Sequence, residues 1–322
     1  MDENAITAKD LTKYYGDFLA VDHISFEVKQ GEIFGFLGPN GAGKSTTIRM
    51  LTGISLPSSG TASIMCYDIV KQSVEAQSLM GIVPDISNIY TELTAWQNLD
   101  FTGKLYGIPR EVRERKNREL LERFELYDRR DENVEGYSRG MRRKVCIAMA
   151  LVNDSKILYL DEPTSGLDVQ SVRSIRNLVR DLNKEGLTVF LTTHNLEEAN
   201  RMCDRIAVIN RGKIAAIDSP ERLKGAMQRR QSIEISIEGN DESRPRFDEL
   251  QGVLEVQERG DKIRLVTSSP QETLKKLCGF VAGDDLDILS LNTKGASLED
   301  VFVDLTGREM KDEIIKLRKA RR

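Results

Sequence analysis

Residues 38–45 read Gly38-Pro39-Asn40-Gly41-Ala42-Gly43-Lys44-Ser45, which fits the spacing G-x-x-x-x-G-K-[ST]. Glycine removes the Cβ that would hold backbone N–H groups away from phosphate oxygens, and a helix starting there adds its positive end. In such a loop Lys44 neutralises the terminal phosphates of a nucleotide and the Ser45 hydroxyl ligates Mg²⁺. A second pair, Asp161-Glu162, ends the apolar run KILYL. Unpaired carboxylates are costly to bury, so two in succession mark a site where something compensates them. Asp161 is placed to hold Mg²⁺ through water, and Glu162 to orient or deprotonate an attacking water.

The elements needed to hold these groups are legible around them. Glu32 to Leu37 is a short apolar run that stops at Gly38, and STTIRMLTGI after the glycines has a helical pattern. Strand, glycine-rich turn and helix is the context a phosphate loop requires. KILYLDEP, Lys156 to Pro163, reads as a second buried strand, and Thr188 to Thr193 as a third. Between them Val172, Ile175, Leu178, Val179 and Leu182 recur at helical spacing before Gly186. Strands alternating with helices imply a largely parallel sheet covered on both faces. A helical insertion is expected from about residue 88 to 153. Within it Thr94-Ala95-Trp96-Gln97 forms a capping box, Arg110 to Phe124 is amphipathic, and a third helix starts at Ser138.

Beyond a hairpin signal at Asn210-Arg211-Gly212 the order changes. A polar linker, Lys224 to Arg230, precedes an alternating strand at Ile233, Ile235 and Ile237. A short helix at Phe247 to Leu250, a hairpin turning at Gly260, a helix after Pro270 and a strand around Ile288 to Leu291 give β-α-β-β-α-β, the order of a ferredoxin-like sandwich. Ser297-Leu298-Glu299-Asp300 caps one more helix. The expected domains are 1–225 and 230–307, followed by a tail, 308–322.

Composition agrees with two domains. The chain has 322 residues, 39% of them hydrophobic, with 47 Lys+Arg against 51 Asp+Glu. No apolar stretch approaches the ~18 residues of a membrane span, and the acidic, polar N-terminus lacks the pattern of a secretory signal. Cys66, Cys146, Cys203 and Cys278 are scattered and the chain has 2 His, so a reducing cytosol and no structural metal are expected. The net charge of -4 argues against a nucleic-acid surface over the whole molecule. It conceals a basic tail, Arg308 to Arg322, carrying seven basic and three acidic residues.

Ser138-Arg139-Gly140-Met141-Arg142, shortly before the Asp161 strand, resembles the signature loop of the ABC ATPases. Ser165-Gly166-Leu167-Asp168 looks like that family's D-loop, and Thr193-His194 like its switch histidine. The motifs follow one order over residues 5 to 220. The resemblance implies an α/β P-loop NTPase fold with a RecA-like core, an antiparallel β subdomain, a helical subdomain and a small α+β C-terminal domain. It implies that Tyr15 stacks on adenine and that Gly38 to Thr46, Thr46 included, surround the nucleotide. Ser138 and Gly140 match positions that contact ATP held by a second protomer, and Asp168 would communicate across that interface. His194 would contact the γ-phosphate; His23 has no such context and reads as structural.

Three residues depart from the family pattern. Arg139 replaces a usual glycine and Met141 a frequent glutamine. Asp85, after the strand MGIVP, stands where most members carry the glutamine that reaches Mg²⁺ and the membrane partner. A carboxylate binds a hard cation more strongly but adds negative charge near the γ-phosphate. The C-terminal segment, Ser297 to Phe302 and Leu305 to Glu309, looks like the end of ATPase subunits of drug- and antibiotic-resistance exporters. Such a chain is expected to bind ATP and Mg²⁺, to pair with itself or a paralogous ATPase subunit, and to drive a separate permease from the cytoplasmic face without binding nucleic acid. The alternative is a non-transport relative acting on ribosomes or DNA. A GTP-binding switch is a weaker reading, because Asn183-Lys184-Glu185-Gly186 lacks the Asp that reads guanine.

Overall fold

The computed structural model describes residues 4–86, 88–226, 231–238, 247, 250, 252–259, 262–283, 287–295 and 297–306. They divide into two compact units, Met1–Ser219 and Pro220–Arg322. The division precedes the polar linker read from the sequence, and the first residues of that linker, Lys224 to Ala226, are instead the end of a helix that starts at Pro220 and goes with the second unit.

The first unit holds β1 (Asn4–Tyr15), β2 (Phe18–Lys29), β3 (Ile33–Leu37), α1 (Lys44–Leu51), β4 (Ser59–Ile64), β5 (Tyr67–Asp68), α2 (Ser73–Ser78) and β6 (Met80–Val83). Then come α3 (Ala95–Leu105), α4 (Arg110–Arg123), α5 (Arg139–Leu151), β7 (Ile157–Asp161), α6 (Val169–Lys184), β8 (Thr188–Thr193), α7 (Leu196–Met202), β9 (Arg205–Asn210) and β10 (Lys213–Asp218). A six-stranded sheet has the order β10-β9-β3-β8-β7-β6, parallel except for the β9–β10 hairpin. Every residue of β3 and β8 is buried, which explains apolar runs without alternation.

The register places Leu37 beside Thr193, Asp161 beside Thr192, and Val83 beside Leu160. All the chemically distinctive residues after β3, β6, β7 and β8 therefore leave the sheet at the same edge, the carboxyl ends where open α/β sheets bind ligands.

A second sheet, β2-β1-β4-β5, is antiparallel. Its Phe26 packs into Phe34, Phe36 and Phe190 of the first sheet, with ring centroids 5.3–6.3 Å apart. Burying each such ring contributes on the order of 2–3 kcal/mol, so this cluster fixes one sheet on the other. The capping box is as expected: the Thr94 hydroxyl accepts from Gln97 N at 3.1 Å and the Gln97 side chain accepts from Thr94 N at 2.9 Å.

The second unit holds α8 (Pro220–Ala226), β11 (Gln231–Glu238), β12 (Val253–Arg259), β13 (Lys262–Thr267), α9 (Pro270–Gly283), β14 (Asp287–Lys294) and α10 (Leu298–Thr306). Its antiparallel sheet runs β12-β13-β11-β14, the strand order of a ferredoxin-like sandwich. The helix expected from Phe247, the turn at Gly260 and the basic tail fall wholly or mainly outside the described residues. Ile233, Ile235, Ile263, Leu265 and Leu277 form a core with Phe247. Arg264, buried in β13, pairs with Asp300 at 2.7 Å. Ser297 caps α10 as read, its hydroxyl accepting from Asp300 N at 3.2 Å.

Candidate functional site

The glycine loop is set by close approaches on two sides. Gly41 and Gly43 have φ of 79° and 105°, in the left-handed region. A Cβ on Gly43 would lie 2.7 Å from Ala20 O, and one on Gly38 would lie 2.4 Å from Ile209 O. No larger residue fits either position without moving backbone. The turn Pro39-Asn40-Gly41-Ala42 is closed by Ala42 N donating to Pro39 O at 3.2 Å and held from outside by Gly212 N donating to Ala42 O at 3.0 Å. Helix α1 then begins, with Ser45 exposed and Thr46 half-buried in its first turn.

Lys44 is 5% exposed. Its Nζ donates to Gly38 O at 2.7 Å and Pro39 O at 3.1 Å, and stands 3.3 Å from Glu162 Oε1 in an ion pair. That oxygen is buried and makes no hydrogen bond of good geometry. Glu162 Oε2 lies 2.8 Å from His194 Nδ1. Burial would raise the Glu162 carboxyl, but the His194 hydrogen bond and the Lys44 charge outweigh it and hold the group below the usual glutamate range.

Glu162 has φ of 48°, an uncommon conformation for a residue with a side chain. Its N–H donates to Thr192 O at 3.1 Å, and the Thr192 hydroxyl donates to Asp161 Oδ1. Strand β8 thus orients both carboxylates.

Asp85 follows β6 at the same sheet edge. Its carboxyl is pushed up, chiefly by partial burial, then by the charges of Asp161 and Glu162, with Arg143 and His194 opposing. Among the described residues no group of three or more His, Cys, Asp or Glu side chains is arranged to hold a metal ion by itself. Mg²⁺ typically takes one or two carboxylates and completes its shell with phosphate and water, so Ser45, Asp161 and Asp85 fit an ion that arrives with a nucleotide. The glycine cradle and the Lys44 ammonium beside it fit the phosphates of the nucleotide itself, and the unbonded Glu162 oxygen is an acceptor suited to a water.

A second cluster lies at the N-termini of α5 and α6. Ser138 caps α5, accepting from Met141 N at 3.2 Å. Asp168 caps α6, accepting from Ser171 N at 2.9 Å and from the Ser171 hydroxyl at 2.6 Å, which holds its carboxyl below the usual range. Gly140 lets the helices meet: a Cβ there would sit 2.3 Å from Ser171 Oγ. Arg139 donates to Gly166 O at 3.3 Å, joining the two loops. A cleft of about 330 Å³ between them is lined by Asp85, Ile89, Arg139, Arg143, Ser165 and Gly166. Tyr15 ends β1, 46% exposed, with Lys13 Nζ 5.1 Å from its ring centre. His23 sits in β2 with φ of 49°, its ring 2.7 Å from Asp22.

Two buried polar residues were not read from the sequence. Arg143 donates to Pro84 O at 2.6 Å, Asp85 O at 3.0 Å and Glu162 O at 3.3 Å. Glu198 accepts from the hydroxyls of Thr193 at 2.6 Å and Thr164 at 2.7 Å. Arg143 lies within the basic run Arg142-Arg143-Lys144, where nothing in residue type separates the buried member from its half-buried neighbours. Glu198 lies four residues after His194, the only hint that a helix turn brings it back to the site.

Residues 21–165 match the family described as ABC transporter. Over 310 residues the chain is 36% identical to the linearmycin resistance ATP-binding protein LnrL of Bacillus subtilis, covering 95% of this chain and 100% of that protein. Over 305 residues it is 37% identical to the Nod factor export ATP-binding protein I of Cupriavidus metallidurans, covering 94% of this chain and 98% of that protein. A bacterial ABC transporter cassette solved as a dimer superposes with a TM-score of 0.60 at 27% identity, covering 66% of this chain and 98% of the other. With full-length relatives 36–37% identical, and a phosphate loop and paired carboxylates on one sheet edge, the chain belongs to the ATP-binding subunits of the ABC transporter family.

Proposed function

We propose that this ATP-binding subunit works as a pair of copies, or beside a paralogous ATPase subunit, hydrolysing MgATP at sites shared between the two and driving a separate integral-membrane permease in export. The observation that carries the reading is the convergence of Lys44, Glu162 and His194 at the ends of three adjacent parallel strands. Phosphoryl transfer asks the protein mainly for positioning and charge neutralisation, which such a cluster supplies.

In this reading Lys44 and the loop from Gly38 to Thr46 bind the phosphates, and Tyr15 stacks on the base. Glu162, kept ionised by its two neighbours, accepts the proton of the attacking water. His194 holds the γ-phosphate end of the site. Mg²⁺, when bound, supplies neutralisation of phosphate charge, and Ser45, Asp161 and Asp85 are the residues to hold it. Ser138, Gly140 and Asp168, which cap and pack the N-termini of α5 and α6, would serve the nucleotide of the second copy.

Support for a permease comes from the relatives, which are named for resistance and export. No helix among the described residues is long and apolar enough to cross a membrane. A groove of about 430 Å³ lined by Ile82, Asn88, Tyr90, Phe101, Leu105 and Tyr106 adjoins the Asp85 loop and suits an apolar partner segment. Docking there would keep the subunit at the cytoplasmic face of the membrane.

Lys44→Ala should abolish turnover. Glu162→Gln should retain ATP binding and accumulate a nucleotide-bound dimer on size exclusion. A Glu162→Gln protein with wild-type turnover, or a chain that purifies with nucleic acid instead of a membrane protein, overturns the reading.

A further inference from the structure

The loop joining β6 to α3 is tied at both ends by buried side chains. Near its start Arg143, 5% exposed, sends its guanidinium to the carbonyls of Pro84 and Asp85. Near its end Asn98, fully buried in α3, accepts from Tyr90 N at 2.9 Å and donates to Tyr90 O at 3.0 Å. Between the ties Ile86 is 85% exposed, and Asn88 and Tyr90 line the apolar groove.

The first tie reaches further than the loop. The same Nη2 that holds Asp85 O lies 3.3 Å from Glu162 O, a carbonyl that also accepts from Ser165 N at 3.2 Å. Because Glu162 is held in the left-handed region, the direction of its carbonyl and of its side chain are set together. A buried guanidinium is costly unless its donors are satisfied, and here carbonyls from two strand ends satisfy it. A planar fork can span several carbonyls at once; a lysine ammonium on a flexible stem cannot hold them in fixed relation.

We propose that Arg143 is a positioning residue for hydrolysis, a strut that fixes the Asp85 loop to the Glu162 main chain and so holds the catalytic carboxylate in its working orientation. This rests on the reading of Glu162 as the base. Without the guanidinium, the carbonyls of Pro84, Asp85 and Glu162 lose the donor group they share, and the Glu162 main chain is free to shift.

The test uses the full chain with Arg143→Gln and Arg143→Lys, and Glu162→Gln in parallel. Without nucleotide, amide exchange at Glu162 and Ser165, whose N–H groups donate to Thr192 O and Glu162 O, should rise in Arg143→Gln by about tenfold or more. Its kcat should fall about 10- to 100-fold while the KM for ATP stays within about threefold, and Arg143→Lys should recover part of that loss. Exchange at Glu162 and Ser165 that stays at the wild-type rate, or a kcat per folded molecule equal to wild type, overturns the proposal. If Arg143→Gln does not fold, Arg143→Lys decides: a kcat about fivefold lower at unchanged melting temperature supports the strut, and a wild-type kcat overturns it. Should Glu162→Gln turn over normally, the hydrolytic reading itself fails; should it be inactive while both Arg143 variants are normal, only the strut fails.

Discussion

Lys44 Nζ stands 3.3 Å from Glu162 Oε1, and both side chains are nearly buried. The phosphate loop and the carboxylate strand are therefore one electrostatic unit before any phosphate enters it. Lys44→Met should lower stability by about 3 kcal/mol, because a buried carboxylate loses the lysine it is paired with. Adding Glu162→Gln should recover most of that loss. A double-mutant cycle by urea denaturation measures the coupling, expected to exceed about 1 kcal/mol.

Asp85→Gln should weaken metal activation. Its carboxyl is already pushed up by burial and by Asp161 and Glu162, so an amide relieves repulsion while removing a hard anionic ligand. The Mg²⁺ concentration for half-maximal ATPase activity should rise about tenfold, with activity at saturating metal equal to or above wild type. Titration of ATPase rate against free Mg²⁺ checks this.

The Glu198 carboxyl is raised above the usual glutamate value by burial, with the Thr193 and Thr164 hydroxyls and the Arg176 charge offsetting part and Glu162 adding to it. The native chain then binds this proton more tightly than the unfolded chain. Its contribution to stability is fully present below the unfolded value, about 4.5, and is lost as pH rises through the raised one. Glu198→Gln removes that slope. Melting temperatures between about pH 4.5 and 7 should show wild type losing stability relative to the variant as pH rises.

Tyr159 is fully buried in β7, packed 5.5 Å from the Phe190 ring centre, and its hydroxyl is buried without a hydrogen-bond partner. Tyr159→Phe keeps the ring contacts and removes a desolvated polar atom. A gain of about 1 kcal/mol, or about 2–4 °C in melting temperature, is expected.

Much of the site was legible because its residues are punctuation as well as chemistry. Gly43, Ser138 and Asp168 begin helices, and cap residues are among the strongest local signals a sequence carries. Strands β3, β7 and β8 were legible as uniformly apolar runs. Strands β1 and β2 were not, since their pairing shifts register four times and includes Asp10 and His23 at positive φ, which breaks the period-two pattern. Arg143 and Glu198 stayed hidden for another reason. Their burial is decided by strand ends far away in sequence, and no local spacing encodes it.

The turn at Arg211-Gly212 gives the nucleotide loop an unexpected dependence. Gly212 N–H holds Ala42, Gly212 O accepts from Asp22 N, and Gly43 lies against Ala20 O. Three segments, near residues 20, 42 and 212, must meet before the loop takes its shape. Closing such distant contacts is the slow part of folding for a chain of this topology. Competence to bind nucleotide therefore arises late, after the last strands of the main sheet have joined, and a growing chain that has made only residues 1–165 has all of Gly38 to Thr46 but neither His194 nor the Gly212 contact that holds Ala42.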